Sequence, residues 1–171
     1  MGGFIDATEG TKNAASESEV RCGRALAALV PAKHTVVLQL PSGHRGAVGG
    51  SGATADFIVY TGGTTGGVTE SLQDIQTDEN YSVTVDAYTP DGYNPAGSVA
   101  AVRDKLSTQA SAVIVDLVNL TNIAHRNDVV AKIITMVNQY HSGKMVVFHF
   151  EGKNRVYNPT ASFAVTGNQF V

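Results

Sequence analysis

One cysteine and no tryptophan set the first limits on this chain. Cys22 alone can neither close an internal disulfide nor build a multi-cysteine zinc site, so nothing here requires an oxidising compartment. No apolar run approaches the ~20 residues of a membrane-spanning helix. The opening MGGFIDATEG lacks the basic and apolar stretches of a secretory signal, and Asp6 stands where a myristoylation signal needs Ser or Thr. The expectation is that any passage across a membrane depends on something outside this chain. Charge is sparse too: 16% of residues are charged and the net charge is −3. That balance gives no global attraction to phosphate, so nucleic-acid binding would have to rest on local patches.

What is present is globular. Hydrophobic residues make up 43% of the 171 positions, with 18 glycines among the rest, which suits a single domain spanning 1–171 with a core of its own. ASESEVRCGRALAALVPAKH reads as a helix, with Ser16 or Ser18 as N-cap, Glu17 and Glu19 in the first turn, Val20, Gly23, Ala27 and Val30 at helical spacing, and Pro31 as the stop. HTVVLQL reads as a strand, followed by Gly/Ser-rich punctuation over 41–55 and a second strand, Ala55 to Tyr60. Residues 61–80 form an excursion, read as an insertion or a hairpin, before the strand YSVTVDAYTP.

After the turn residues DGYNPAG, SVAAVRDKLST carries Val99, Val102 and Leu106 on one helical stripe, and AVIVDLV is apolar enough for a central strand. NDVVAKIITMVNQYHSG is a helix capped by Asn127, with Val130, Ile134 and Val137 inward and Gly143 at its end. KMVVFHF is a strand, and the remainder shows weak pattern. The order predicts an α/β fold, a mixed central sheet flanked by helices.

The glycine-rich stretches GGSGATADF and TGGTTGGVTES contain no Gly-Lys-Ser/Thr and do not open a helix after a strand, so they read as loops rather than phosphate cradles. His34, His44, His125, His141 and His149 show no zinc spacing; His149, in a strand, is a secondary candidate for a general base or an RNA contact. Cys22 reads as a buried structural thiol.

The carboxylates carry more. Strands are depleted in Asp, yet Asp56 and Asp86 sit inside strand-like runs, where an acid without a cation costs desolvation. Two such acids on neighbouring strands, with Glu19 on the first helix, can form an oxygen-rich site for Mg²⁺. Lys105, at the edge of its helix's inner stripe, can lean its stem on the sheet and present its ammonium at the strand ends. The competing reading has Asp86 capping the TPDG turn, Asp56 at a strand entrance and Lys105 in solvent.

ADFIVY, the acidic start of the first helix, and VDAYTPDGYNPAGSVAAVRDKLSTQASAVIVDLVN also resemble the tRNA-cleaving C-terminal toxin domains of contact-dependent growth-inhibition (CdiA) proteins. The match is clearest from Asp86 to Asn119. The resemblance implies a restriction-endonuclease-like, PD-(D/E)XK core in which Asp56 and Asp86 hold Mg²⁺ or another divalent metal, with Glu19 and Lys105 completing the catalytic set. Glu17 is the rival to Glu19. Ala55 replaces the family's proline, and 29 residues separate Asp56 from Asp86 where the family has a short hairpin. Within that interval Asp74 is the rival to Asp86, with Gln76 at the lysine's place.

The resemblance further implies tRNA as substrate, a cognate immunity protein as partner, secretion within a larger cell-surface effector and action in the target-cell cytoplasm. Candidate substrate contacts are Arg21, Arg24, Lys33, His44, Arg45, Lys144, Lys153 and Arg155. A metal-dependent DNase of the same architecture and a non-catalytic α/β binding module are the alternatives.

Overall fold

The computed structural model describes residues 2–12, 14–39, 55–61 and 81–159. The excursion over 62–80, with Glu70, Asp74 and Gln76, and the segment holding His44 and Arg45 lie outside the described residues.

Chain order and spatial order coincide: the described residues form one seven-stranded sheet in the order β1 to β7. The strands are β1 (Gly3–Asp6), β2 (His34–Leu38), β3 (Phe57–Thr61), β4 (Tyr81–Tyr88), β5 (Ala112–Asp116), β6 (Met145–Phe150) and β7 (Lys153–Tyr157). Three helices among the described residues join them: α1 (Glu17–Leu29), α2 (Pro95–Thr108) and α3 (Ile123–Tyr140). β1 and β2 are parallel, β2–β3–β4 is an antiparallel meander, β4, β5 and β6 are parallel, and β7 returns antiparallel. The sheet is therefore mixed, as the α/β expectation requires.

Strand alternation sorts the core onto two faces. In β5, Ala112 and Ile114 join Cys22, Leu26 and Leu29 of α1, whereas Val113 and Val115 pack with Val102 and Leu106 of α2 and Val129, Ile133 and Val137 of α3. α1 can lie close because Gly23 has no side chain: a Cβ there would come within 2.3 Å of Phe4 and 2.9 Å of Phe57.

Ser16 is the N-cap of α1, and the helix ends before Pro31 as the sequence indicates. α3 begins earlier than expected. Its cap is Asn122, whose Oδ1 accepts from the amides of Ala124 and His125; Asn127 is an exposed residue inside the helix. Two strands escaped the sequence reading. β1 has only four residues. β7 follows a two-residue hairpin loop, Glu151-Gly152, in which both residues have positive φ (47° and 77°), the type I′ geometry that matches sheet twist.

Candidate functional site

All five parallel strands end at the same edge of the sheet, the edge at which open α/β sheets bind ligands. Buried polar groups gather there: Thr8 beyond β1, Gln39 beyond β2, Asp86 in β4, Asp116 ending β5 and His149 near the end of β6.

The breach of strand propensity at Asp86 has a geometric answer. The β3–β4 ladder pairs Phe57 with Val85, and beyond that pair side chains take over from backbone. Asp86 Oδ1 accepts from the Asp56 amide at 3.2 Å, while Asp56 Oδ2 accepts from the Ala87 amide at 2.8 Å. The other Asp86 oxygen accepts from Lys105 Nζ at 2.9 Å. Asp86 is buried and Lys105 keeps 23% of its side chain exposed, so the ammonium reaches the strand ends from α2. Asp86 thus does not cap the TPDG turn, and Lys105 is not simply solvated. Burial, then a shared hydrogen bond and the charge of Asp86, push Asp56 from an ordinary 3.8 up to about 8.

Glu19 sits elsewhere. Its amide donates to Ser16 Oγ at 3.3 Å and its carboxylate accepts from the same hydroxyl at 3.1 Å, a local N-terminal arrangement. Its charge still contributes to raising Asp56, so the first turn of α1 faces this end of the sheet. Glu17 is exposed. Among the described residues no group of three or more His, Cys, Asp or Glu side chains is placed to hold a metal; the hard-oxygen pair is Asp56 with Asp86.

A second polar constellation lies on the α1 side of the same edge. Asp116, fully buried, accepts from Arg21 Nε at 2.5 Å and from the Val118 amide at 3.2 Å. Sequence reasoning took Asp116 only as part of an apolar strand; its signal was an acid closing the run AVIVD. Across the β5–β6 pairing Asp116 faces His149, whose Nδ1 lies 2.8 Å from Asn154 Oδ1. Since an amide oxygen only accepts, Nδ1 carries the proton in this bond, which in the neutral imidazole leaves Nε2 as the acceptor.

The remaining candidates resolve simply. Cys22 is buried, and burial followed by the Asp116 charge pushes its thiol far above the ordinary range, so it is a structural thiol as expected. His125 stacks on Tyr93 at 3.9 Å, and His141 bonds to Ser107. Arg21, Arg24 and Lys153 lie towards the carboxyl edge, whereas Lys33 and Lys144 precede β2 and β6 and lie at the opposite one. Lys144 donates there to the Leu106 carbonyl.

No family model and no curated protein matches the chain. Its fold is similar to that of a chain in a CdiA-CT/CdiI toxin and immunity complex from Burkholderia pseudomallei, with a TM-score of 0.51 and 15% identity, covering 92% of this chain and 100% of that one. At that identity the likeness is one of fold.

Proposed function

We propose that the chain is a nuclease toxin of contact-dependent growth inhibition, hydrolysing phosphodiester bonds of tRNA with Mg²⁺ or another divalent cation. One observation carries the reading: Asp56 and Asp86 converge at a strand end with the Lys105 ammonium 2.9 Å from Asp86. The succession of α1, the β2–β3–β4 meander, α2 and the parallel strand β5 supports a core of the PD-(D/E)XK kind. The fold likeness to a chain of a toxin and immunity complex supports the toxin reading.

The donor set fits a hard divalent cation. Mg²⁺ is typically held by one or two carboxylates and keeps several waters, and Asp56, whose proton affinity is raised by its burial and by the neighbouring Asp86 carboxylate, gains from a double positive charge between the two. What the cation supplies when bound is Lewis acidity, polarising a phosphoryl oxygen and acidifying water. Asp56 and Asp86 would hold it; the backbone amides of Ala87 and Asp56 fix the orientation of both carboxyl groups. Lys105 has three N–H donors, of which one reaches Asp86. The others can meet the non-bridging oxygens of a phosphate and stabilise the charge that grows there in the transition state. Glu19, on the first turn of α1, is proposed to position the attacking water.

Such a toxin needs a cognate immunity protein in the cell that makes it. It would be secreted within a larger effector and act in the target-cell cytoplasm. Purified protein incubated with total tRNA and with plasmid DNA, each with Mg²⁺ or with EDTA, tests the proposal. Mg²⁺-dependent tRNA fragments support it; cleaved DNA beside intact tRNA transfers the function to a DNase, and neither cut to a binding module.

A further inference from the structure

An open cleft of about 570 Å³ lies between α1 and the β6–β7 hairpin, within the size range of small-molecule sites. It is on the α1 side of the sheet, distinct from the Asp56–Asp86–Lys105 group, which faces α2. Val20 and Ala25 are among its apolar lining, and its polar side chains are Glu17, Arg21, Arg24, His149 and Asn154.

Each polar group has a recognisable capacity. Arg21 is oriented by buried Asp116 through Nε, which fixes a flat guanidinium face of the kind on which bases stack. Arg24 is exposed, stands 5.7 Å from the Phe4 ring centroid, and has no carboxylate partner among the described residues. With His149 Nδ1 and Asn154 Oδ1 bonded to each other, the neutral imidazole offers Nε2 as an acceptor and the Asn154 amide nitrogen is a donor. Both residues line the cleft. An acceptor beside a donor complements the N–H and acceptor pair on a nucleobase edge. Glu17 also lines the cleft, two helical turns before Arg24, and its carboxylate would favour a phosphate at the Arg24 end. Asp116, which holds Arg21, ends β5, the strand paired with the Asp86-bearing β4, so the cleft and the carboxylate pair share the carboxyl edge of the sheet.

We propose that this cleft is a nucleotide subsite, seating one unstacked base and its phosphate from the RNA strand whose scissile bond lies at Asp56 and Asp86. This rests on the nuclease reading for its second half only. The test therefore needs no cleavage: NMR titration of the metal-free wild-type protein with each 5′-ribonucleoside monophosphate, with the corresponding nucleosides and with inorganic phosphate.

At least one monophosphate should move the His149 ring and Asn154 side-chain amide signals and bind about tenfold tighter than inorganic phosphate, as expected of a pair of base-edge hydrogen bonds. Arg24→Ala should weaken the monophosphate about fivefold and leave the nucleoside unchanged, the effect of one phosphate contact. Asn154→Asp keeps an acceptor for His149, removes the donor and adds a negative charge, and should weaken the nucleoside and, more strongly, the monophosphate. Unmoved His149 and Asn154 signals with every nucleotide, or phosphate alone acting as strongly, overturn the subsite. tRNA cleavage without any nucleotide response refutes the subsite alone; nucleotide binding without cleavage keeps the subsite and refutes the nuclease.

Discussion

At Asp56 a carboxyl group is held protonated by burial and by a second carboxyl, and this fixes how stability depends on pH. Its pKa is raised from 3.8 to about 8 on folding, so between those values the folded chain binds more protons than the unfolded one. The stabilisation is complete below about pH 4 and is lost as pH rises through about 8. Without divalent metal, the difference in urea midpoint between Asp56→Asn and wild type should grow in the variant's favour from pH 5 to pH 8; a difference constant with pH would remove the coupling. Mg²⁺ should raise the wild-type midpoint more at pH 8 than at pH 5.5, because at the lower pH it must displace a proton. Lys105→Met should cost about 3 kcal/mol, since it leaves Asp86 buried without its cation, measured by denaturant unfolding at pH 7. Asp86 was legible because an acid in a strand violates propensity; Asp56, read inside a strand, stands at the entrance of β3, one residue before Phe57. Asp116 was not, because one acid after four apolar residues looks like the end of a strand, and its partner Arg21 lies 95 residues away.

Elements were legible where apolar periodicity is long, as in α1, α2 and the doubly covered strands β5 and β6. Boundaries set by a single hydrogen bond were harder. Asn122 and Asn127 are both acceptable caps by residue type, and only the first has its Oδ1 on the amides of Ala124 and His125. Asn122→Ala should therefore cost about 1 kcal/mol and Asn127→Ala less than about 0.5 kcal/mol, read from chemical unfolding. β7 was missed because its hairpin uses Glu151-Gly152, without the Asn or Asp that usually marks a type I′ turn. Gly23 was placed on the inner stripe by spacing alone; its reason is contact with Phe4 and Phe57. Gly23→Ala should destabilise by about 1–3 kcal/mol through overpacking, visible as a lowered Tm.

At the scale of the whole molecule, the sheet brings Asp56 and Asp86, 30 residues apart in sequence, to one edge with Lys105, while Arg21, Arg24, His149 and Asn154 occupy the other side of that edge. Separation along the chain is no guide to such pairing; strand register is, and register emerges only when the faces of the sheet are packed. A net charge of −3 leaves the proposed RNA binding to these local groups, so the proposed cleavage should weaken with rising salt by a modest slope, set by few phosphate contacts. The most direct test of the central claim is to sequence RNA ends from bacteria induced to express the chain without an immunity protein, beside cells expressing Asp86→Asn. Metal-assisted cleavage of tRNA by this chain predicts recurrent new ends within tRNA that accompany growth arrest and vanish in the variant. Growth arrest with intact tRNA, or the same tRNA ends in Asp86→Asn, would contradict it.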